Sequence, residues 1–366
     1  MTKLTSKEQE IIEILMHNPY LEQEEIAQQL DISRSAVAGH LSRLVKKGII
    51  QRGYVLNKKT ERIAVIGGAN VDIKGISDNQ LREGSSNPGI VFKAAGGVGR
   101  NVAENLARLD LPVSLYSTVG LDAEGDWLIE TTKLAGVDVK FVDRKPEEST
   151  GRYLSILNSQ KEQVASIADM RIMEKMDLAF LKKIYPTLAQ MKFVFVDTNL
   201  PTESLHSLIS WLNEKKIPII VDPVSAKKAI KLENHLDGLW LFTPNKEEAE
   251  VLTGINIDTT EDLEKAADQF LQFGVQQLVI TLGSEGVYIA TKEGKSFLPS
   301  PKVHVKDTTG AGDAFISGVI YGLYQEKSLA EACLYGHAMA ALTLEREETV
   351  ATDLSVQLLE NQKKEI

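Results

Sequence analysis

Cysteine and long apolar runs are nearly absent from this chain of 366 residues. Its single cysteine, Cys333, has no second cysteine to pair with, which excludes an internal disulfide. No cysteine and histidine residues have zinc-site spacing, and this indicates a reducing compartment. The N-terminus is polar, and no stretch approaches the roughly 18 apolar residues of a membrane span. We therefore expect a cytoplasmic protein without a membrane partner.

Two common nucleotide-binding motifs are also missing. Gly294-Lys295-Ser296 resembles the end of a P-loop, but Ile289 stands where that motif requires a glycine. Gly97-Val98-Gly99 lacks the third glycine of the dinucleotide fingerprint. The sequence therefore argues against a P-loop ATPase and against a Rossmann dehydrogenase.

Charge is spread unevenly along the chain, whose formal net charge is −10. Residues 1–60 hold nine Lys or Arg against seven Asp or Glu, so the acidic excess lies in the rest of the chain. An acidic body is a poor binder of nucleic acid. Any contact with DNA is therefore expected from residues 1–60.

The first part of the chain has the pattern of three short helices. Apolar residues recur at helical spacing from Ser6 to His17, and a second helix fits Glu22 to Leu30. Ser33 can cap a third helix that ends near Lys47. Residues 49–56 then read as a small hairpin wing, followed by a polar linker.

Three helices and a wing resemble the winged helix-turn-helix domains of bacterial regulators, whose third helix lies in the major groove of double-stranded DNA. The resemblance implies a DNA-binding domain over residues 1–60. The outward residues of its third helix include Arg34, Ser35, His40 and Arg43. A homodimer is expected, because such domains usually read paired half-sites. The alternative is a helical bundle for oligomerisation, with these charges only solvated.

From residue 61 the sequence alternates between apolar strands and helix-like segments. Strands are predicted at Ile63–Ile66, Val113–Val119, Phe193–Asp197, Ile217–Asp222, Gly238–Thr243 and Gln277–Leu282. This alternation predicts an α/β domain over residues 61–366, with a largely parallel sheet covered on both faces. Segments at about 73–93 and 151–168 interrupt it with alternating residues, which suggests a small β lid over the site.

The segment Asp307–Phe315, with the sequence DTTGAGDAF, predicts a reaction type. Its two glycines beside paired threonines suit a turn that leads into the N-terminus of a helix. Unpaired amides and the helix dipole attract an anion at such a position. Asp313 would lie where a phosphoryl group meets a general base, which is the chemistry of a kinase.

Two glycine-rich segments suit a sugar. Asp72 lies at the carboxyl end of the first strand, where ligands of open α/β sheets bind, and it can accept hydrogen bonds from a diol. The segment Gly96–Asn101 opens a helix, so its glycines allow close approach of a ligand while Asn101 donates and accepts. Each segment alone is equally consistent with a structural turn.

Two further segments suit a nucleotide. Asn245 and Glu248 are three residues apart on one helix face, which suits a hydrated Mg²⁺ near phosphates. An ordinary helix cap would give the same pattern. The segment Thr281–Gly286 follows the last strong strand, where its glycines admit a nucleotide ribose or make a hairpin turn.

The set and order of these segments resemble the PfkB-type, ribokinase-like carbohydrate and nucleoside kinases across roughly residues 61–355. The Gly96–Asn101 and Asp307–Asp313 elements are the two signatures of that family. Within it the closest resemblance is to pseudouridine kinases, carried by Ser86–Gly89, Gly96–Leu106 and Val221–Ala226. The implied fold is α/β and ribokinase-like, with a doubly covered, mostly parallel sheet and a small β lid.

The resemblance implies that ATP and Mg²⁺ take part, with roles for individual residues. Asp313 would be the base for a primary hydroxyl, here the 5′-hydroxyl of a ribosyl group. The anion hole would be formed by Gly310, Ala311 and Gly312. Substrate contacts would come from Asn70, Asp72, Asn87, Lys93, Gly96, Gly97, Asn101, Arg152 and Asp169. The ATP site would include Thr281, Gly283, Gly286 and His337, with Mg²⁺ near Asn245 and Glu248 and a monovalent cation such as K⁺ near Asp307 and Thr309.

Two classes of function stay open on these residues. The first is an active kinase for pseudouridine, ribose, another sugar or another nucleoside, whose DNA-binding domain adjusts transcription. The second is a transcriptional regulator that uses the kinase-derived domain only as a ligand sensor. The intact Asp313 and its anion hole favour catalysis, since a sensor has no need of a base.

Overall fold

A computed structural model describes residues 4–17, 21–50 and 60–366 of the chain. The chain divides into two compact units, the first made of Met1–Glu61 with Tyr185–Lys192 and the second of Arg62–Ile184 with Phe193–Ile366. Most of the predicted wing and linker, residues 51–59, lies outside the described residues, so that part of the prediction stays open.

The first unit contains the three predicted helices, α1 (Ser6–His17), α2 (Gln23–Leu30) and α3 (Arg34–Lys46). Ser33 caps α3 as predicted, because its Oγ accepts a hydrogen bond from the Ala36 amide at 3.2 Å. The apolar faces of the three helices meet in one core that contains Ile11, Leu15, Ile26, Val37, Leu41 and Leu44.

The second unit is built from thirteen strands among the residues described. They are β1 (Ile63–Ile66), β2 (Asn70–Ser77), β3 (Gly89–Gly96), β4 (Val113–Gly120), β5 (Asp138–Lys145), β6 (Gly151–Leu157), β7 (Gln163–Asp169), β8 (Phe193–Asp197), β9 (Ile219–Asp222), β10 (Leu241–Phe242), β11 (Gln277–Thr281), β12 (Gly286–Thr291) and β13 (Lys295–Pro299). Nine of them form the main sheet, in the order β13-β12-β11-β10-β9-β8-β1-β4-β5.

Further helices alternate with the strands of the main sheet, and the third of them ends within Tyr185–Lys192, which belongs to the first unit. They are α4 (Val98–Arg108), α5 (Ala123–Leu134), α6 (Leu178–Leu188), α7 (Thr202–Lys215), α8 (Ala226–Ala229), α9 (Lys246–Thr253), α10 (Thr260–Gln272), α11 (Ala311–Tyr324), α12 (Leu329–Leu344) and α13 (Val356–Glu365). Every residue of β1, β4 and β8 is buried, as expected for a sheet covered on both faces.

The main sheet is parallel from β5 to β11, and the β12–β13 hairpin adds two antiparallel strands at one edge. The strand predicted over Gly238–Thr243 shortens to Leu241–Phe242, because Gly238 has a φ of +78° and begins the segment with a turn. The glycine of Gly294-Lys295-Ser296 immediately precedes β13, so the P-loop resemblance is a hairpin feature.

The two segments predicted as a lid form a separate four-stranded sheet in the order β3-β2-β6-β7. Strands β2 and β3 are antiparallel, β6 and β7 are antiparallel, and β2 pairs with β6 in parallel. We call this the lid sheet. Among the described residues, no helix is both long enough and apolar enough to cross a membrane.

Helices α11 and α12 approach each other through glycines. A Cβ added at Gly318 would lie 2.3 Å from the Tyr335 carbonyl oxygen, and one at Gly322 would lie 2.6 Å from Ala332 Cα. On the other helix, a Cβ at Gly336 would lie 2.7 Å from the Phe315 ring. This close packing fixes α11 and therefore the position of Asp313 in its first turn.

We expect Gly318→Ala to lower the free energy of unfolding by about 2 kcal/mol, because overpacking forces the two helices apart. Thermal unfolding followed by circular dichroism measures the loss. Gly294→Ala is the matched control, since no atom of the described part of the chain lies within 4 Å of the added Cβ. Equal melting temperatures for the two variants would contradict the close helix contact.

Candidate active site

Glycine and aspartate residues gather at the carboxyl ends of the central strands, beside the predicted residue Asp313. Gly67-Gly68 follows β1, Asp197 ends β8 and Asp222 ends β9. The N-terminus of α11 completes this group. Its residue Asp313 lies close enough to Asp197 for that charge to raise the pKa of Asp313. Carboxyl ends of parallel strands are where open α/β sheets bind their ligands.

The start of α11 has the geometry of an anion site. Gly310 has a φ of +81°, and a Cβ there would lie 2.3 Å from the Thr349 carbonyl oxygen, so the turn requires glycine. The Ala311 amide donates to Thr308 at 3.3 Å and the Ala314 amide donates to Gly310 at 2.8 Å. Among the described residues, the amides of Gly312 and Asp313 have no such partner and are left for a ligand.

Among the residues that the structure describes, one side chain donates a hydrogen bond to the carboxyl group of Asp313. Asn101 Nδ2 donates a hydrogen bond to Asp313 Oδ2 at 2.8 Å. Burial raises the pKa of Asp313 to about 7, against the opposing effect of the Asn101 hydrogen bond, and the charges of Asp197 and Asp72 raise it further. Asp313 nevertheless stays partly exposed, so a ligand can reach it. A carboxyl group with this pKa is suited to take a proton near neutral pH.

Asp72 and its neighbours lie at the base of the lid sheet. Asn70 Nδ2 donates to Asp72 Oδ1 at 2.6 Å, and burial raises the pKa of Asp72. A Cβ on Gly96 would lie 2.2 Å from Asp72 Oδ2, so only glycine fits at that position. Asn70 thus holds one oxygen of Asp72. The charge of Asp72 also helps to raise the pKa of Asp313, so the two carboxyl groups interact.

Asp197 was not predicted from the sequence, although it organises the site. It is fully buried, and its Oδ2 accepts hydrogen bonds from the Gly68 amide at 2.7 Å and the Gly99 amide at 3.0 Å. A Cβ on Gly67 would lie 2.2 Å from the same oxygen. The one available signal was an aspartate directly after the apolar strand β8.

Asn245 and Glu248 form the helix cap that the sequence allowed. Asn245 Oδ1 accepts from the Glu248 amide at 2.9 Å, and Glu248 Oε2 accepts from the Asn245 amide at 2.8 Å. Burial raises the pKa of the nearby Asp222 well above its usual range, and the charges of Glu248 and Asp313 add to that rise. Within the described ranges, no three or more His, Cys, Asp or Glu side chains group as metal ligands.

Asp307 and Thr309 contact each other and the lid sheet. Asp307 Oδ1 accepts from the Thr309 amide at 2.8 Å and from Thr309 Oγ1 at 2.7 Å. Its second oxygen forms an ion pair with Lys74 Nζ at 2.8 Å, which lowers the pKa of Asp307 although burial opposes it. In this arrangement one Asp307 oxygen is paired with Lys74 and the other with Thr309, and the monovalent-cation site stays a prediction.

The residues expected at ATP differ in their surroundings. Thr281 ends β11 and pairs with Asn245 in a parallel bridge, and Gly283 has open space around it. A Cβ on Gly286 would lie 2.2 Å from the Leu298 carbonyl oxygen, so this glycine is required by the hairpin itself. His337 is buried beside the Phe315 ring, and burial lowers its pKa to about 4, which keeps it neutral.

Three predicted substrate contacts lie on the opposite face of the lid sheet from Asp72. Lys93 pairs in register with Ile73, and Arg152 pairs with Val71 and with Asp169. Because successive strand residues point to opposite faces, Lys93, Arg152 and Asp169 are not brought to Asp72.

The same three residues and Asn87 are engaged by neighbours. Lys93 Nζ lies 4.1 Å from the Trp127 ring centre, Arg152 forms an ion pair with Glu124 at 2.5 Å, and Asp169 pairs with Arg171 at 2.8 Å. Asn87 is bonded within its own loop, where its Oδ1 accepts from the Arg82 amide at 2.8 Å.

In the first unit, the candidate DNA-binding residues lie along α3. Arg34 and Ser35 are exposed at its start. Further along, Arg43 Nη2 lies 2.8 Å from His40 Nδ1, and Arg43 Nε donates to Glu8 at 3.4 Å. Glu8 is fully buried, and its hydrogen bonds from Lys47 and Thr5 lower its pKa to about 2. A buried anion therefore fixes the basic end of α3.

Sequence families account for nearly the whole chain. Residues 60–355 match the pfkB family of carbohydrate kinases. Residues 4–51 match the winged helix-turn-helix DNA-binding family.

Two relatives from Escherichia coli (strain K12) match most of the chain. One is an uncharacterized sugar kinase, YeiI, which is 37% identical over 342 residues, or 93% of this chain and 94% of that protein. The other is a pseudouridine kinase, 35% identical over 300 residues, or 82% of this chain and 95% of that protein.

Solved structures agree with this assignment. A carbohydrate kinase from Agrobacterium tumefaciens is 30% identical, with a TM-score of 0.74 over 83% of this chain and 97% of that one. Arabidopsis thaliana ribokinase, solved with ribose and ATP, shares the fold at 23% identity, with a TM-score of 0.73 over 83% of this chain and 99% of that one. The predicted fold class is thereby confirmed. The chain belongs to the pfkB family of carbohydrate kinases, which are ATP-dependent phosphotransferases, and it carries a winged helix-turn-helix domain at its N-terminal end.

Proposed function

We propose that the protein transfers the γ-phosphate of ATP to the 5′-hydroxyl of a nucleoside, and that the nucleoside is pseudouridine. The observation that carries the proposal is Asp313, a carboxylate with a pKa of about 7 in the first turn of a helix whose amides are left for an anion. Base and anion site lie one residue apart, as phosphoryl transfer to an alcohol requires.

In the proposed reaction Asp313 accepts the proton of the attacking hydroxyl. The amides of Gly312 and Asp313, at the positive end of α11, stabilise the charge on the transferring phosphoryl group. Asp72, Gly96 and Gly97 hold the sugar hydroxyls. Positioning and electrostatics therefore carry the reaction, and no covalent intermediate on the protein is needed.

Mg²⁺ fits near Asn245 and Glu248. The helix cap uses Asn245 Oδ1 and Glu248 Oε2 and leaves the other Glu248 oxygen, while burial and the charges of Glu248 and Asp313 raise the pKa of the nearby Asp222. Mg²⁺ takes few protein ligands and keeps waters, so the cap does not exclude it. When bound, it neutralises charge on the phosphates.

The choice of pseudouridine rests on likeness rather than on a described contact. A pseudouridine kinase is among the relatives at 35% identity, and the Gly96–Leu106 segment resembles those enzymes. The relative at 37% identity is named only as a sugar kinase, so ribose, another sugar and another nucleoside are the competing substrates.

We propose further that residues 1–60 form a DNA-binding domain and residues 61–366 the kinase domain, and that the protein is a homodimer on DNA. Support comes from the winged helix-turn-helix match and from the exposed Arg34 and Ser35 of α3. The alignment with YeiI spans 342 residues, which is too long to lie within residues 61–366 alone. A regulator that only senses its ligand is the second candidate function.

Replacing the base tests catalysis directly. We expect Asp313→Asn to lower kcat by ~10² to 10⁴ or more, because an amide cannot accept the proton. In the native protein kcat/KM should rise with pH through about 7, since the deprotonated carboxylate is the active form. An ADP-release assay measures both. The control is Asp268→Asn, an exposed carboxylate in the same unit, which should keep full activity. An active Asp313→Asn variant would refute the assigned base.

The substrate is tested with a panel of pseudouridine, uridine, guanosine, ribose and fructose under the same ADP-release assay. We expect kcat/KM for pseudouridine to exceed that for ribose or uridine by at least about tenfold, a difference of 1.4 kcal/mol in transition-state stabilisation. A higher kcat/KM for a free sugar would transfer the assignment to a sugar kinase. No turnover on any substrate, with ligand-dependent DNA binding retained, would favour the sensor.

DNA binding is tested with the full chain and a fragment from upstream of its own gene. We expect the affinity to fall with rising salt, and Arg34→Ala to weaken binding and reduce the salt slope by about 1 if Arg34 contacts a phosphate. Lys265→Ala, an exposed cation on α10, should bind normally. Light scattering on the same complexes gives the oligomeric state. An oligomer without affinity for any fragment would favour the helical-bundle alternative, and a monomer with and without DNA would contradict the proposed dimer.

A further inference from the structure

A chain of polar side chains, buried except at Arg108, runs along α4 to the proposed base. Arg100 and Glu104 are each 3% exposed and form an ion pair. Glu104 Oε1 also accepts from Arg108 Nε at 2.8 Å, and Arg108 Nη1 donates to the Thr352 carbonyl oxygen at 2.6 Å. At the other end, Arg100 Nη1 donates to Asn101 Oδ1 at 3.1 Å. The chain therefore reaches from the segment after α12 to the residue that touches Asp313.

The contact between Arg100 and Asn101 determines which way the Asn101 amide faces. A guanidinium group only donates hydrogen bonds, so the side-chain oxygen of Asn101 must point to Arg100. Its NH₂ group then points to Asp313, at 2.8 Å. The opposite orientation would place NH₂ against the guanidinium and an oxygen against the carboxylate, and would lose both hydrogen bonds.

Arg100 is itself held rigidly by groups on three elements. Its Nε donates to Thr132 Oγ1 on α5 at 3.3 Å, and its Nη1 also donates to the Ala95 carbonyl of β3 at 3.1 Å. With Glu104 on α4, these contacts leave the guanidinium little freedom. Burying an ion pair costs more than burying apolar groups of the same size, so this pair is poorly explained by stability alone.

We propose that Arg100 is a positioning residue for the reaction, which locks the Asn101 amide so that its NH₂ group faces the Asp313 carboxylate. The proposal rests on the proposed function, in which Asp313 is the base. It assigns to Arg100 no contact with substrate. Its effect passes through Asn101, and Glu104 with Arg108 holds Arg100 in turn.

Loss of the lock has two consequences. Asn101 becomes free to turn, so Asp313 loses a hydrogen bond that favours its charged form, and the positive charge of Arg100 disappears from its neighbourhood. The Asp313 carboxylate then takes its proton at higher pH and is held less firmly. A hydrogen bond to a charged group corresponds to roughly tenfold in an equilibrium or a rate.

The test compares Arg100→Met, Arg100→Lys and the native protein in the ADP-release assay across pH. We expect Arg100→Met to lower kcat about tenfold and to raise the midpoint of the pH profile by about one unit, with KM for ATP little changed. Arg100→Lys keeps the positive charge, but an ammonium group cannot bond Asn101, Ala95 and Glu104 at once. We therefore expect a shift of the pH midpoint that is smaller than that of Arg100→Met. A Lys variant identical to the native protein would show that charge alone acts and would overturn the proposal.

A double-mutant cycle separates positioning from a general structural role. If Arg100 acts through Asn101, then Arg100→Met should shift the pH midpoint less in an Asn101→Leu background than in the native protein, because only the loss of the Arg100 charge is left to act. Additive shifts would overturn the proposal. Retained ATP affinity and an unchanged circular dichroism spectrum identify the variants that are folded.

A measurement without catalysis keeps this test independent of the proposed function. Asp313 has a folded pKa above its unfolded value, so ionising it destabilises the fold, and stability falls as pH rises from about 4 to about 7. The difference in melting temperature between the native protein and Asp313→Asn should therefore stop changing with pH above about pH 7. In the Arg100→Met background we expect the levelling about one unit higher, and an unchanged position would overturn the proposal even in a protein without kinase activity.

Discussion

The buried carboxylate of Asp197 is the contact on which the site depends. It accepts hydrogen bonds from the amide of Gly68, after β1, and from the amide of Gly99, in the first turn of α4. One side chain at the end of β8 thus joins three parts of the chain. Both amides are buried, and leaving a buried amide unpaired costs about 1–3 kcal/mol. The position of α4, and hence of Asn101 against Asp313, follows from this bond. Glycine at position 67 is required for the same reason, since a Cβ would overlap the carboxylate.

Much of the fold could be predicted from the sequence because its strands and helices carry strong local patterns. The bounds of α1 and the Ser33 cap were predicted correctly, and so was the strand Phe193–Asp197. The edge strand β5 was missed because it is polar and only half-buried, so it lacks the apolar run that marks a central strand. The resemblance to pfkB kinases was recoverable because two glycine signatures fall in the required order.

The site was harder to predict than the fold, since side-chain contacts depend on register and on distant parts of the chain. Asn101 was expected at the sugar, yet its NH₂ group faces Asp313 across 212 positions of sequence. Lys93 and Arg152 fall on the wrong face of the lid sheet, which a single residue of register decides. Asn245 and Glu248 form a helix cap, and a helical pattern in the sequence is the same whether or not such a cap also holds a cation.

The ion pair between Lys74 and Asp307 connects the lid sheet to the segment that leads into α11. Both side chains are partly solvated, at 32% and 25% exposure, and pairs of this kind contribute little, of order 0–1 kcal/mol. A contact of that strength stabilises one arrangement of the lid sheet and the segment before α11 only slightly. Thermal motion therefore breaks this contact readily, and ionic strength acts on it directly, while the lid sheet keeps its contacts with α5 through Lys93 and Arg152.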